Sequence, residues 1–309
     1  MSEPQRLNAS LSLGYDKQKK ELDCRRVPSS SPTASVRACI SANRPRTTRG
    51  LLFHYTVVVT QNTSISENIE RVWEGFSRQS PKRFARYVDP ATNSHLDAMA
   101  RYHWNVQLAE ALTPGIHAIE ICLRNAIHNA MRTTYPTSND MWFDAWVGQG
   151  ISREPLLLTL DSDQVQAART RVMNLSKPVE APRLVAQLSF GFWVELLNDD
   201  YDMKIVRPLL GGPMRNVKDP YRKQASLREL FGKFRELRNR VAHHEPIFDA
   251  RDDLRHLHEL MCGVSSAIEP QFTSLTLHGD RFETVWREGW QPFRQALLAK
   301  IKSSTAANG

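Results

Sequence analysis

The stretch Phe234–Phe248, FRELRNRVAHHEPIF, gathers Arg235, Arg238, Asn239, Arg240 and the adjacent His243 and His244 into the last turns of an amphipathic helix. Part of this has a plain explanation. Cations at a helix C-terminus contribute about 0.3–1 kcal/mol each, and Glu236 with Arg240 has the i,i+4 spacing of a stabilising pair, so Arg240 reads as an ordinary helix-end residue. Asn239 and the two histidines are not explained that way. Asn is a poor interior helix former, and a neutral imidazole adds little against the helix dipole. Chemistry that would use them is cleavage of RNA by its own 2′-hydroxyl. That reaction needs a base for the hydroxyl proton, a cation for the phosphate oxygens and an acid for the departing 5′ oxygen. Histidine serves as acid or base near its reference pKa of about 6.5, and the guanidinium fork fits phosphate. The scheme needs no metal and no cofactor.

Spacing refines the assignment. Asn239 and His243 are i and i+4 and share a helix face about 6 Å apart along the axis, whereas His243 lies about 140° around from Arg238. One helix alone gives a thin site. Two copies meeting at a two-fold interface would place paired Arg238, Asn239 and His243 groups in one cleft, with separate acid and base histidines. A homodimer is therefore expected, with His244 as a supporting group. A second polar row, Glu120, Arg124 and His128, stands at i, i+4, i+8 on another helix. One reading is a surface ladder with a Glu–Arg pair; the other is a row lining the same cleft, in which Glu120 and Arg124 support the site and hold Arg238.

Several helices must position these groups. Ser226 with Glu229 forms a capping-box pattern, Leu227, Leu230, Phe231, Phe234, Leu237 and Val241 make the buried stripe, and Pro246 stops the helix. Upstream, Ser64 with Glu67 and Ser94 with Asp97 mark two helix starts. Thr113-Pro114 reads as an N-cap and first helical position that begins a separate helix carrying Ile116, Ile119, Leu123, Ile127 and Ala130. MWFDAWVGQG (Met141 to Gly150) reads as an aromatic turn plugging the core. A polar helix comes next around Asp161 to Leu175, then RLVAQLSFGFWVELL as one deeply buried helix. Leu254 to Ile268 and QPFRQALLAKI complete the set. The pattern predicts an all-α fold, a compact helical bundle over residues 61–309.

The net charge of +8 sits mostly in the first 60 residues, where ten Lys and Arg face four Asp and Glu, leaving +2 for the rest. Any nucleic-acid contact must therefore come from local clusters. That tail is rich in Ser, Pro and Arg (RRVPSSSPTASVR) and is expected to be disordered. Val59, ahead of TQNTSISENIERVWEGF, also reads as an alternative start codon, which would leave residues 1–58 untranslated. Cys24, Cys39, Cys122 and Cys262 show no CxxC pair and no metal-ligand spacing. The one dense apolar run near the start, LLFHYTVVVT, is far shorter than the roughly 20 residues a membrane span needs. A cytoplasmic protein with no membrane contact is expected.

LRNRVAHHEPIF resembles the signature of the Abi-like (abortive infection) branch of the HEPN superfamily, an Arg, often followed by Asn, and then a His after a short gap; Arg238, Asn239 and His243 fit it with four intervening residues. YHWNVQLAEAL, EICLRNAI and LSFGFWVELL extend the resemblance from about Ser77 to the mid-250s. The resemblance implies a dimeric HEPN-like bundle acting as a metal-independent endoribonuclease in phage defence or as a toxin, with an antitoxin or regulator as a further partner besides RNA. Arg238 would hold the scissile phosphate, Asn239 would orient it or the imidazole, and His243 would be the acid-base. Three other readings stand beside it: a metal-dependent hydrolase built from His243, His244, Glu245, Asp249 and His256; a non-catalytic module binding RNA or a protein partner; and a structural protein whose basic cluster is a solvated helix end.

Overall fold

The computed structural model describes residues 64–249 and 254–306. The expected disordered tail and the alternative start at Val59 lie outside the described residues. Helices dominate: α1 (Ile65–Ser77), α2 (Pro81–Ala85), α3 (His95–Thr134), α4 (Thr159–Asn174), α5 (Ala181–Gln187), α6 (Phe190–Glu195), α7 (Arg207–Gly211), α8 (Gln224–Ala242), α9 (Leu254–Ile268), α10 (Pro270–Thr276), α11 (Phe282–Glu288) and α12 (Gln291–Ala306). Among the described residues the only sheet is a two-residue antiparallel ladder, Trp146–Val147 against Glu154–Pro155. The all-α expectation holds, and no described helix is long and apolar enough to cross a membrane.

The spine is α3, 40 residues long and so about 60 Å end to end. Each level of it meets a different neighbour. His95 Nδ1 is 2.6 Å from Glu70 of α1, and Arg294 of α12 pairs with Asp97 at 2.7 Å. Trp104 Nε1 donates to the Val285 carbonyl of α11 at 2.9 Å, and α9 lies along the middle of the spine against Gly115.

Three readings of the sequence need correction. Thr113-Pro114 does not start a helix; it lies inside α3. A proline inside a helix costs about 3 kcal/mol, but Leu108, Leu112 and Ile119 on both sides of it are fully buried, each contributing about 1.5–3 kcal/mol. Thr113 Oγ1 meanwhile donates back to the Ala109 carbonyl at 3.0 Å instead of capping a new helix. RLVAQLSFGFWVELL is two helices. Ser189 interrupts it and accepts the Phe192 N–H at 3.2 Å, which lets Leu188 and Phe190 both reach the core; in a continuous helix those two would stand about 200° apart. Finally, α8 begins at Gln224 rather than Ser226. Gln224 Nε2 donates to the Leu197 carbonyl at 2.6 Å and orders the preceding turn, while Glu229 pairs with Lys233 at 3.2 Å. The N-caps at Ser64 and Ser94 form as the sequence indicates.

The aromatic turn divides. Trp142 and Phe143 are buried and stacked, centroids 4.0 Å apart, whereas Trp146 is exposed. Trp142 Nε1 donates to His128 Nδ1 at 3.0 Å, which ties the turn to α3 and requires that nitrogen to be unprotonated. Burial lowers the His128 pKa, with Arg132 adding to the shift and Asp140 opposing it. The unfolded chain takes up this proton near pH 6.5 and the folded chain resists it, so the contribution of His128 to stability is complete above about pH 6.5 and is lost as pH falls toward its depressed folded value. Urea unfolding at about pH 7.5 and about pH 5.5 checks this. Wild type is expected to lose more stability on acidification than His128→Asn, whose amide oxygen accepts the Trp142 N–H without titrating.

Candidate functional site

The stripe of α8 fixes its outward face. Leu227, Leu230, Phe231, Phe234 and Leu237 are buried, which leaves Arg238 and Asn239 on the helix flank and His243 at its end. The helix closes with a full backbone cap: the His244 N–H donates to the Val241 carbonyl at 3.1 Å and the Glu245 N–H to the Arg240 carbonyl at 2.9 Å. This closure needs a left-handed residue, usually Gly, and here His244 takes it, with φ 56°. For a residue with a Cβ, that conformation costs roughly 1–2 kcal/mol.

The segment after the cap is anchored three ways. Asn105 of α3, 3% exposed, donates from Nδ2 to the Glu245 carbonyl at 3.1 Å and accepts the Ile247 N–H at 2.7 Å, spanning Pro246. Ile247 is fully buried, and Phe248 sits between Tyr87 and Trp104, 5.8 and 5.7 Å away by ring centroids. Arg240 donates to the Pro246 carbonyl and pairs with Asp249 at 2.6 Å. It does so in place of the expected Glu236 pair, because the chain doubles back under it.

Asn239 and His243 both open onto one groove of about 1040 Å³, whose other polar walls include Arg86, Arg235, Arg240, Glu245 and Asp249. Its cations are largely compensated. Arg86 lies 3.9 Å from Glu245 and 4.0 Å from Asp249, and Arg235 bonds Glu195. Arg238 is not among the lining side chains. It lies toward α3, its Nε 3.7 Å from Glu120 Oε2 and its Nη1 3.4 Å from Asn239 Oδ1. His244 is exposed beyond the cap.

The second row is divided by its neighbours. Glu120 turns to Arg238, the Nε of Arg124 is buried without a hydrogen-bond partner, and His128 is taken up by Trp142. Among the described residues, His243, His244, Glu245, Asp249 and His256 form no group able to hold a metal ion. Arg86 lies near both carboxylates, and Arg240 pairs with that of Asp249. No family model, curated protein or solved structure matches the chain.

Sequence reasoning missed Asn105. The available signal was a polar residue on the buried α3 face with Leu108 and Leu112, since a buried amide needs partners; those partners lie about 140 residues away and carry no local trace. It also missed His258 and Cys262, i and i+4 on α9, which meet Asp280.

Removing the Asn105 amide leaves the buried Ile247 N–H without an acceptor. Asn105→Ala is expected to destabilise the fold by about 1–3 kcal/mol, read as a lower urea midpoint with an unchanged slope.

Proposed function

We propose that the end of α8 is the active centre of a metal-independent endoribonuclease of the Abi-like HEPN kind, completed by a second copy of the chain and acting in the cytoplasm in abortive phage defence or as a toxin. One histidine takes the proton of the RNA 2′-hydroxyl and the freed oxygen attacks phosphorus. The bond from phosphorus to the 5′ oxygen breaks, and the His243 of the other copy protonates that oxygen. Arg238 neutralises the non-bridging oxygens and Asn239 orients the phosphate or the imidazole. The products are a 2′,3′-cyclic phosphate and a 5′-hydroxyl.

The observation that carries this reading is the pairing of Asn239 with His243 on one open groove, with Arg238 on the adjoining flank. The divergence of Arg238 from that groove favours a cleft shared by two copies, in which the arginine of one meets the histidine of the other. Glu120 would hold Arg238 in place, Arg124 would lend charge nearby, and His244 would act as an auxiliary group at the mouth.

The compensated charge of the groove favours a second reading, a non-catalytic module that binds RNA or a partner such as an antitoxin. Full-length protein incubated with total RNA in EDTA distinguishes the two. The nuclease reading expects cleavage leaving 2′,3′-cyclic ends, and a loss of about 10²–10⁴-fold in an equally folded His243→Ala variant. Salt-sensitive RNA binding by the wild type with no cleavage would replace it with the binding reading.

A further inference from the structure

Away from the α8 groove, α9 and the turn before α11 bring together three side chains that the RNA chemistry does not use. His258 and Cys262 stand on one face of α9, and Asp280 reaches them from the turn. His258 Nε2 is 2.9 Å from Asp280 Oδ2 and 3.6 Å from Cys262 Sγ, and the three ligand atoms all lie within 4.8 Å of one another. Among the described residues no other group of His, Cys, Asp and Glu converges in this way.

Two simpler accounts fall short. A nucleophilic relay needs the acid on one imidazole nitrogen and the thiol on the other, but here both face Nε2. A plain His–Asp hydrogen bond accounts for Asp280 but not for a thiol aimed at the same nitrogen. What the three groups share is the close approach of their ligand atoms, all within 4.8 Å of one another.

We propose that His258, Cys262 and Asp280 form a Zn2+ site. Zinc–nitrogen and zinc–sulfur bonds of about 2.0 and 2.3 Å at tetrahedral angles separate N and S by about 3.5 Å, close to the 3.6 Å between His258 Nε2 and Cys262 Sγ. The imidazole–carboxylate separation opens from 2.9 Å to about 3.3 Å, and the thiol and the carboxylate oxygen, within 4.8 Å of each other, settle at about 3.6 Å. A thiolate with an imidazole selects zinc over magnesium or calcium, which favour all-oxygen shells.

The supporting contacts are in place. The Phe282 N–H donates to Asp280 Oδ1 at 2.9 Å, leaving Oδ2 for the ion. The His258 ring stacks on Phe282 at 4.3 Å, and Gly115 of α3 backs it closely enough that a Cβ there would lie 3.6 Å from Cδ2. Outer contacts of this kind fix ligand orientation. On binding, the Nε2 proton that His258 shares with Asp280 leaves, so that the ring keeps its proton on Nδ1, the Cys262 thiol proton goes to solvent, and nitrogen and sulfur bond zinc with no redox change. Three protein ligands leave the fourth position to water, and the ion fastens α9 to the start of α11.

Metal-stripped full-length protein titrated with Co2+ tests the proposal. One equivalent should bind with a thiolate-to-cobalt charge-transfer band, Zn2+ should displace it, and Zn2+ should raise the melting temperature. Cys262→Ser should lose the band and Asp280→Asn should bind at least about tenfold more weakly, each checked for folding by circular dichroism. Absence of the band in folded wild type, or a band that persists in Cys262→Ser and so arises from another cysteine, would overturn it. Circular dichroism in chelator separates loss of structure on metal removal from loss of RNA cleavage.

Discussion

Two hydrogen bonds from one buried amide decide where the end of α8 points. Asn105 holds the carbonyl of Glu245 and the N–H of Ile247, and Pro246 between them has no N–H of its own to satisfy. The turn after α8 is thereby fixed against the central helix, with Ile247 buried and Phe248 packed between Tyr87 and Trp104. With both ends of the turn held, His244 tolerates a left-handed conformation that a free chain would leave. The cap in turn sets His243 beside Asn239 on the groove. The candidate site is therefore a helix end whose direction is imposed from a residue about 140 positions earlier.

Its electrostatics derive from the same folding back. The return of the chain brings Glu245 and Asp249 under Arg240 and near Arg86, so the groove carries cations already matched by carboxylates. The Arg86 pairs, half-exposed and 3.9 and 4.0 Å long, contribute only about 0–1 kcal/mol each, while Arg240 is held by both Asp249 and the Pro246 carbonyl. Arg238 is restrained differently, by Glu120 on the spine helix. The small net charge of the residues after the tail makes no broad basic surface.

Much of this was legible in the sequence, and the failures share a cause. The all-α class, the buried stripe of α8 and the caps at Ser64 and Ser94 are local signals, written within a few residues of where they act. Pro114 and Ser226 are local signals too, but burial around α3 and the Gln224 contact with Leu197 outweighed them. Ser189 broke an apparently continuous stripe because its hydroxyl offered a cap and the core lay on two sides. Asn105 with the turn after α8, Glu120 with Arg238, and His258 and Cys262 with Asp280 are contacts between distant segments, and spacing along the chain carries no record of them.

The composite site is tested most directly by mixing wild-type protein with an inactive variant. Folded His243→Ala protein would be combined with an equal amount of wild type under conditions that exchange subunits. If the acid and base histidines come from two copies, every mixed dimer lacks one of them, and only about a quarter of the cleavage of the same total amount of wild-type protein remains. Retention of about half, as expected when each copy cleaves on its own, would contradict the shared cleft.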